Sequence, residues 1–374
     1  MITEIFEKNI EDVYRTSIVQ QTAFWSEVKR KLGLETTAID FKVKIDEISR
    51  VSEDNCSVNG DVLVIIKKID RNTSVAYVPY GPEIKPGEQS QSIFLEELSE
   101  IMRSFLPSDC IMVRFDLAWE SYWAKEPDFF CPDGKWLGPP ASSFQEIRFN
   151  YNTVKWNFKK ALSNNLPSNT IFIDLTKSKD DLLKSMKQKT RYNISLSKRK
   201  KVTVRIAGIR ELETWYRLYR DTSARNHIYL HDINYFRTIL SVDSCKTQSP
   251  ANVILLIAET DHKPLASMFL VISGNRATYL YGASSSENRN MMASYALQWE
   301  AMNIAKEMGC TEYDMFGVAP ASDPGHPLYG LYRFKSGFGG ELFHSLGCWD
   351  YPFDLEKYKT FCSVELTQKG YHDN

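Results

Sequence analysis

The order of elements in this chain occurs twice, and that repeat limits the fold more than any other feature. Residues 62–69 (VLVIIKKI) and 74–80 (SVAYVPY) are two β-rich runs separated by the polar turn Asp70, Arg71 and Asn72. A helical pattern follows, with Ile93, Leu95, Leu98, Ile101, Met102 and Phe105 on one side. The strand at 110–115 (CIMVRF) then ends at Asp116. The second copy starts at 253–258 (VILLIA), turns at 260–263, and continues through 265–272 and 277–281. Its helix carries Ala293, Leu297, Ala301, Ile304 and Met308 on one stripe and stops at Gly309. The strand at 310–316 (CTEYDMF) carries Asp314. Hairpin, helix, strand, used twice, predicts an α/β chain with mixed sheets. We expect a first domain over 1–150, completed by the segment 345–374, and a second over 151–344.

The 46 basic and 47 acidic residues nearly cancel, so no global field selects a nucleic acid or a membrane, and any such preference must be local. The seven cysteines are scattered, with no C-x-x-C, as expected for reduced thiols in a cytoplasmic protein. No run of apolar residues is long enough to span a bilayer. His231, His326 and His344 lack metal-type spacing, so no metal is expected. No G-x-S-x-G supplies a hydrolase nucleophile.

Two segments carry chemistry. Residues 182–201 (LLKSMKQKTRYNISLSKRKK) hold eight basic residues and no acid. Leu183, Met186, Thr190 and Ile194 recur at helical spacing, and Lys184, Lys187 and Arg191 follow the same period on another side. This basic ridge, with Lys189 beside it, suits a phosphate backbone; the plain alternative is a solvated helix face. Residues 330–341 (GLYRFKSGFGGE) alternate through 331–336 as a strand would, putting Leu331, Arg333 and Lys335 on one side. Gly337, Gly339 and Gly340 then allow a sharp turn or close approach to a ligand. Asp116 and Asp314, at strand ends, either orient an amine or cap a turn.

Four stretches resemble the Fem family of peptidoglycan transferases: 20–33 (QQTAFWSEVKRKLG), 77–82 (YVPYGP), 186–194 (MKQKTRYNI) and 330–341. The resemblance implies two domains of the GNAT acyltransferase type with a cleft between them. It implies transfer of an amino acid from aminoacyl-tRNA to the stem-peptide amine of a peptidoglycan precursor, either UDP-MurNAc-pentapeptide or lipid II. No cofactor is needed, because the donor is an activated ester. Only about a dozen residues separate the helix ending near Leu240 from the strand at Val253, so the chain resembles the armless, FemX-like branch.

By the same resemblance Lys335, in the RFK triplet, is the catalytic cation, with Arg333 and Phe334 beside the substrate. Lys29 matches a lysine that contacts the precursor's phosphates. Tyr235 and Tyr281 match tyrosines of the substrate channel. His231 stands four residues before Tyr235, where relatives place a phosphate-binding arginine; Arg225 or Arg237 could fill that role after a small shift. Lys184, Lys187, Lys189 and Arg191 become the tRNA contacts, and peripheral contact with a membrane is compatible with a lipid-borne acceptor. The alternative is a GNAT-type transferase using acyl-coenzyme A. Its glycine-rich pyrophosphate loop would fall at 282–290 (GASSSENRN), which has one glycine at the wrong spacing.

Overall fold

The computed structural model describes residues 1–44, 57–226 and 230–367; Cys56 lies outside them. Contacts divide the chain into two units, Met1–Ser168 with Lys246–Ser249 and His344–Asn374, and Asn169–Cys245 with Pro250–Phe343.

The first unit runs β1 (Ile2–Lys8), α1 (Ala23–Lys31), β2 (Glu35–Lys44), β3 (Ser57–Asp70) and β4 (Thr73–Pro79). It continues through α2 (Gln91–Met102), β5 (Cys110–Glu120), α3 (Ser142–Asn150) and β6 (Lys159–Lys160). The second unit opens with β7 (Asn169–Asp174), α4 (Lys179–Ser185), α5 (Gln188–Arg199), β8 (Thr203–Ala207), α6 (Leu212–Asn226) and α7 (Ile233–Ser241). Then come β9 (Ala251–Thr260), β10 (Lys263–Ser273), β11 (Arg276–Ser284), α8 (Ala293–Glu307), β12 (Glu312–Asp314) and α9 (Tyr329–Lys335). The chain closes with β13 (Glu341–Pro352) and α10 (Leu355–Thr367).

The first unit's strands lie in the order β1-β2-β3-β4-β5-β13, antiparallel except for β4 beside β5. In the second the order is β7-β12-β11-β10-β9-β8, antiparallel except for β11 beside β12. The twice-used order is therefore real: hairpin β3–β4, helix α2, parallel strand β5, matched by hairpin β10–β11, helix α8, parallel strand β12. Each helix lays its apolar stripe on its own sheet. Phe94, Leu95, Leu98 and Met102 join Val64, Val78 and Phe115, while Leu297, Ala301 and Met302 join Leu256, Met268 and Tyr313.

The division falls at Ser168, past residue 150, because residues 151–168 remain tied to the first unit. Asn150 donates its side-chain amide to the carbonyl of Phe158 at 2.9 Å, and β6 pairs with Trp349 and Asp350 of β13.

The basic segment also differs from expectation. It is two helices, not one. Met186 and Lys187 are extended between α4 and α5, with ψ of 151° and 144°. Arg191 does not extend a free ridge. Its Nη1 donates to the carbonyls of Leu183 at 3.4 Å, Lys184 at 3.3 Å and Met186, covering the exposed carbonyl end of α4. Lys184 is paired with Asp181, just outside the acid-free run, and Lys187 Nζ donates to Ser336 Oγ at 3.1 Å. Only Lys189 of the four stands exposed with no such contact in view.

Arg191→Ala should therefore destabilise the fold by about 1–2 kcal/mol, through loss of a charged cap over three carbonyls. Lys184→Ala, which removes one exposed ion pair, should stay within about 0.5 kcal/mol of the parent. Urea denaturation of the two variants checks this. Equal small losses would return Arg191 to the solvated face.

Candidate active site

The RFK triplet lies on a helix. Residues 329–335 form α9, where the alternation of 331–336 had predicted a strand. Six residues are too few to fix the period, and the helix turns Arg333 and Lys335 about 200° apart. Arg333 points to solvent, its guanidinium 5.7 Å from the ring of Tyr329. Phe334 packs on Tyr295 and Phe338 at 5.1 and 5.3 Å. Lys335 goes inward and is 4% exposed.

The ammonium of Lys335 meets three consecutive carbonyls: Met315 at 2.6 Å, Phe316 at 3.1 Å and Gly317 at 2.7 Å. They converge because the chain curls directly after β12, with Phe316 in the left-handed region at φ 56°. Asp314 holds the same turn from its other side, accepting the amide N–H of Phe316 at 2.8 Å and the hydroxyl of Thr170. The Tyr279 ring lies 5.1 Å from the ammonium. Burial pulls the Lys335 pKa down to about 7, and the nearby Asp314 carboxylate opposes part of that fall. An ammonium has three protons, and all three are engaged here. To meet an oxyanion, Lys335 must exchange one carbonyl for it.

The glycines after the triplet serve the protein's own packing. A Cβ on Gly337 would strike the hydroxyl of Thr190 on α5, and one on Gly339, at φ 81°, would lie 2.6 Å from the carbonyl oxygen of Ser185. The backbone amide of Lys187 donates to the Gly337 carbonyl at 2.9 Å. Thus the basic segment and the triplet, 150 residues apart in sequence, are seated on each other. Nothing in the sequence signalled the three carbonyls of 315–317, because backbone acceptors carry no side-chain signature.

A second cluster in the same unit joins His231, Tyr235 and Tyr281. Asp232 caps α7 through the amide of Asn234 at 2.7 Å, which sets His231 one turn before Tyr235. The two rings stack at 4.4 Å with an interplanar angle of 13°. Tyr235 and Tyr281 share a hydroxyl–hydroxyl bond of 2.7 Å, above Phe236 and Phe269. Arg225 is held by the Ser284 carbonyl at 3.1 Å and the Ser284 hydroxyl at 3.1 Å. Its pKa is lowered by burial and by Arg289 beside it. Arg237 donates to the side chain of Asn234.

The other two expected site residues belong to the first unit. Lys29 on α1 is buried, its ammonium 5.1 Å from the Trp25 ring. Asp116 is fully enclosed. Its Oδ2 accepts the Tyr77 hydroxyl at 3.1 Å and the Leu166 amide at 2.9 Å, while Oδ1 has no hydrogen-bond partner. Burial raises its pKa to about 6. Among the described residues no group of three or more His, Cys, Asp or Glu is placed to hold a metal ion.

A family model described as the FemAB family matches residues 6–242 and 241–365. Curated relatives include the Lipid II:glycine glycyltransferases of Staphylococcus aureus strains USA300 and NCTC 8325. Each is 24% identical over 272 residues, which cover 56% of this chain and 65% of the relative. The chain thus spans just under two thirds of the length of these relatives. Among solved structures, the crystal structure of FemX superposes with a TM-score of 0.71 at 18% identity, covering 96% of this chain and 100% of that one. At that identity the likeness shows the fold.

A lysine whose folded pKa is about 7 and whose unfolded pKa is near 10.5 carries fewer protons folded than unfolded between those values. Its neutral form therefore adds stability that is fully present above the unfolded value and is lost as pH falls through about 7. The stability of the parent relative to Lys335→Met should rise between about pH 7 and pH 10, by at most about 1.4 kcal/mol per unit. Denaturation midpoints of both proteins across that range measure it. A constant difference would mean that Lys335 is solvated.

Proposed function

The chain belongs to the FemAB family, and from that premise we propose that it transfers an aminoacyl group from a charged tRNA to the stem-peptide amine of a lipid-linked peptidoglycan precursor. The observation that carries this reading is the family match over nearly the whole chain, with relatives named for glycine transfer to lipid II. That name also favours the lipid-borne acceptor over the nucleotide-linked one. A tRNA-dependent reaction places the protein on the cytoplasmic side of the membrane.

The donor ester is already activated, so the protein must supply a neutral amine and a home for negative charge. Holding a lysine-type amine neutral at pH 7 costs about 4.6 kcal/mol. Attack of that amine on the ester carbonyl forms the new amide bond through a tetrahedral oxyanion. The amine loses a proton, and the tRNA leaves as its ribose hydroxyl. Lys335 supports the oxyanion step as a desolvated cation in the second unit, where charge acts more strongly than in water. Asp314 supports it indirectly, by fixing the 315–317 turn that Lys335 holds. We assign the acceptor's polar groups to His231, Tyr235 and Tyr281, with Lys29 on the precursor's phosphates. The tRNA backbone falls to Lys184, Lys187 and Lys189, and Arg191 is left to its structural task.

The test offers both precursor forms with a mixture of charged tRNAs and identifies the product by mass. Lys335→Met should lower turnover about a hundredfold or more while leaving precursor affinity near the parent's. Changing Lys184, Lys187 and Lys189 to Glu should weaken charged-tRNA binding and flatten its salt dependence. Transfer from acyl-coenzyme A with none from tRNA would overturn the reading, and full turnover in a folded Lys335→Met protein would remove that lysine from the chemistry.

A further inference from the structure

We propose that α3 and the loop that follows it form a membrane-docking face of the first unit, which inserts into a phospholipid bilayer by apolar contact. This rests on the lipid-linked acceptor read above. A substrate anchored in a bilayer must be met at the bilayer surface, and among the described residues no helix is long and apolar enough to cross it.

The face is concentrated in one stretch. Of the eighteen large apolar side chains exposed among the described residues, seven fall within 137–162. Phe144, Ile147 and Tyr151 follow one another at helical spacing, on the side of α3 opposite buried Gln145 and Phe149. Val154, 88% exposed, and Trp156, half exposed, extend the patch beyond the helix.

These side chains are held outward. The buried carboxylate of Glu96 accepts the backbone amides of Val154 at 2.7 Å and Lys155 at 2.8 Å. Asn150 bonds both the amide and the carbonyl of Phe158, at 3.0 and 2.9 Å, which closes the loop on itself. The side chain of Asn157 donates to the carbonyl of Pro352. Trp156 sits in the left-handed region at φ 53°, an unfavourable conformation for a bulky residue. A loop tied this firmly does not expose a valine and a tryptophan through slackness.

Composition and charge point to a bilayer. Tyrosine and tryptophan suit the headgroup level, and phenylalanine, isoleucine and valine suit the acyl boundary below it. The neighbouring charges are balanced: Lys155 pairs with Glu100 at 2.9 Å, Lys159 with Glu146 at 3.6 Å, and Arg148 with Glu126. The face therefore needs no anionic lipid and gains nothing from low salt.

Co-sedimentation with phosphatidylcholine vesicles, with and without phosphatidylglycerol, tests this on the full chain. The parent should bind both kinds and remain bound at about 0.5 M salt. Combined Ile147→Glu, Val154→Glu and Trp156→Glu should weaken binding about tenfold or more. The corresponding triple alanine variant should weaken it less and covers the case in which the acidic one misfolds. Transfer should follow the same pattern, with KM raised on vesicle-borne acceptor and unchanged on nucleotide-linked acceptor. The proposal is overturned if the parent ignores vesicles, if the variants bind as the parent does, or if binding needs phosphatidylglycerol and vanishes with salt. Self-association of the parent in velocity sedimentation, lost in the variants and without vesicle binding, would give the face to a second copy of the chain instead. Transfer to neither acceptor would end the enzymatic reading, while the vesicle result would still decide the docking face.

Discussion

A strand can lie parallel to its predecessor only if the chain first climbs back over the sheet, and in each unit a single helix makes that crossing. The rest of the architecture follows from it. The hairpin supplies the sheet, the crossover helix supplies the lid of the core, and the returning strand lands beside the hairpin's second arm. Asp116 and Asp314 occupy these returning strands, opposite Pro79 in one unit and Thr278 in the other. Their positions correspond, but their surroundings do not. Asp116 is walled in, with one oxygen unpartnered. Asp314 ends its short strand and holds a tight turn whose carbonyls receive a lysine. One architecture used twice has enclosed one aspartate in the core and placed the other on the turn that receives Lys335.

Both units bury cations, and each is compensated differently. Arg114 makes a fork to Asp350 at 2.6 and 2.8 Å and a second to Glu365, binding α10 to β5 through planar, bidentate contacts. Lys160 donates to the carbonyls of Leu346 and Cys348, at 2.8 and 2.9 Å, with the Trp349 ring 5.3 Å away, and burial lowers its pKa although Asp116 and Asp350 oppose the fall. Lys335 has three carbonyls and a nearby but unbonded carboxylate, and its pKa also falls. Dipoles solvate a charge less completely than an opposite charge does. The Arg114 site is consequently a fixed fastener, whereas Lys335, with its pKa near 7, sits near a balance between charged and neutral.

The repeat was legible because it rests on apolar periodicity over segments of ten or more residues, long enough for helix and strand to differ. Of the expected stripe, Ala293, Leu297 and Ala301 are buried, while Met308 at its far end is exposed because the helix already stops at Glu307. Residues 331–336 failed that standard, since six alternating residues fit a strand as well as a helix. The ridge is not one helix for another reason. Lys184, Lys187 and Arg191 share a period in sequence, but the helix breaks at Met186, and Arg191 turns back onto carbonyls that the sequence does not display. The stripe of Phe144, Ile147 and Tyr151 shows a third limit. Periodicity reveals that a helix has an apolar side, not whether that side faces the core. The aromatic cluster of His231, Tyr235 and Tyr281 came through the family resemblance; spacing alone gave no reason to join residues 46 apart.

A lysine poised near neutrality responds to charge in a way that an arginine could not. Negative charge arriving near the ammonium favours its protonated form and raises its pKa, so anion and proton bind together. Under the proposed transfer, the oxyanion would draw Lys335 fully into the charged state at the moment when charge is needed. Before that moment, the cost of a buried cation is carried by the three carbonyls of Met315, Phe316 and Gly317. A carbonyl that gave up the ammonium would lose its partner, so under that transfer the 315–317 turn would loosen as the oxyanion gained one. Asp314, still bonded to the amide of Phe316, would keep that loosening local. Under the proposed transfer, the aspartate would let the lysine change partners without releasing the turn that follows β12.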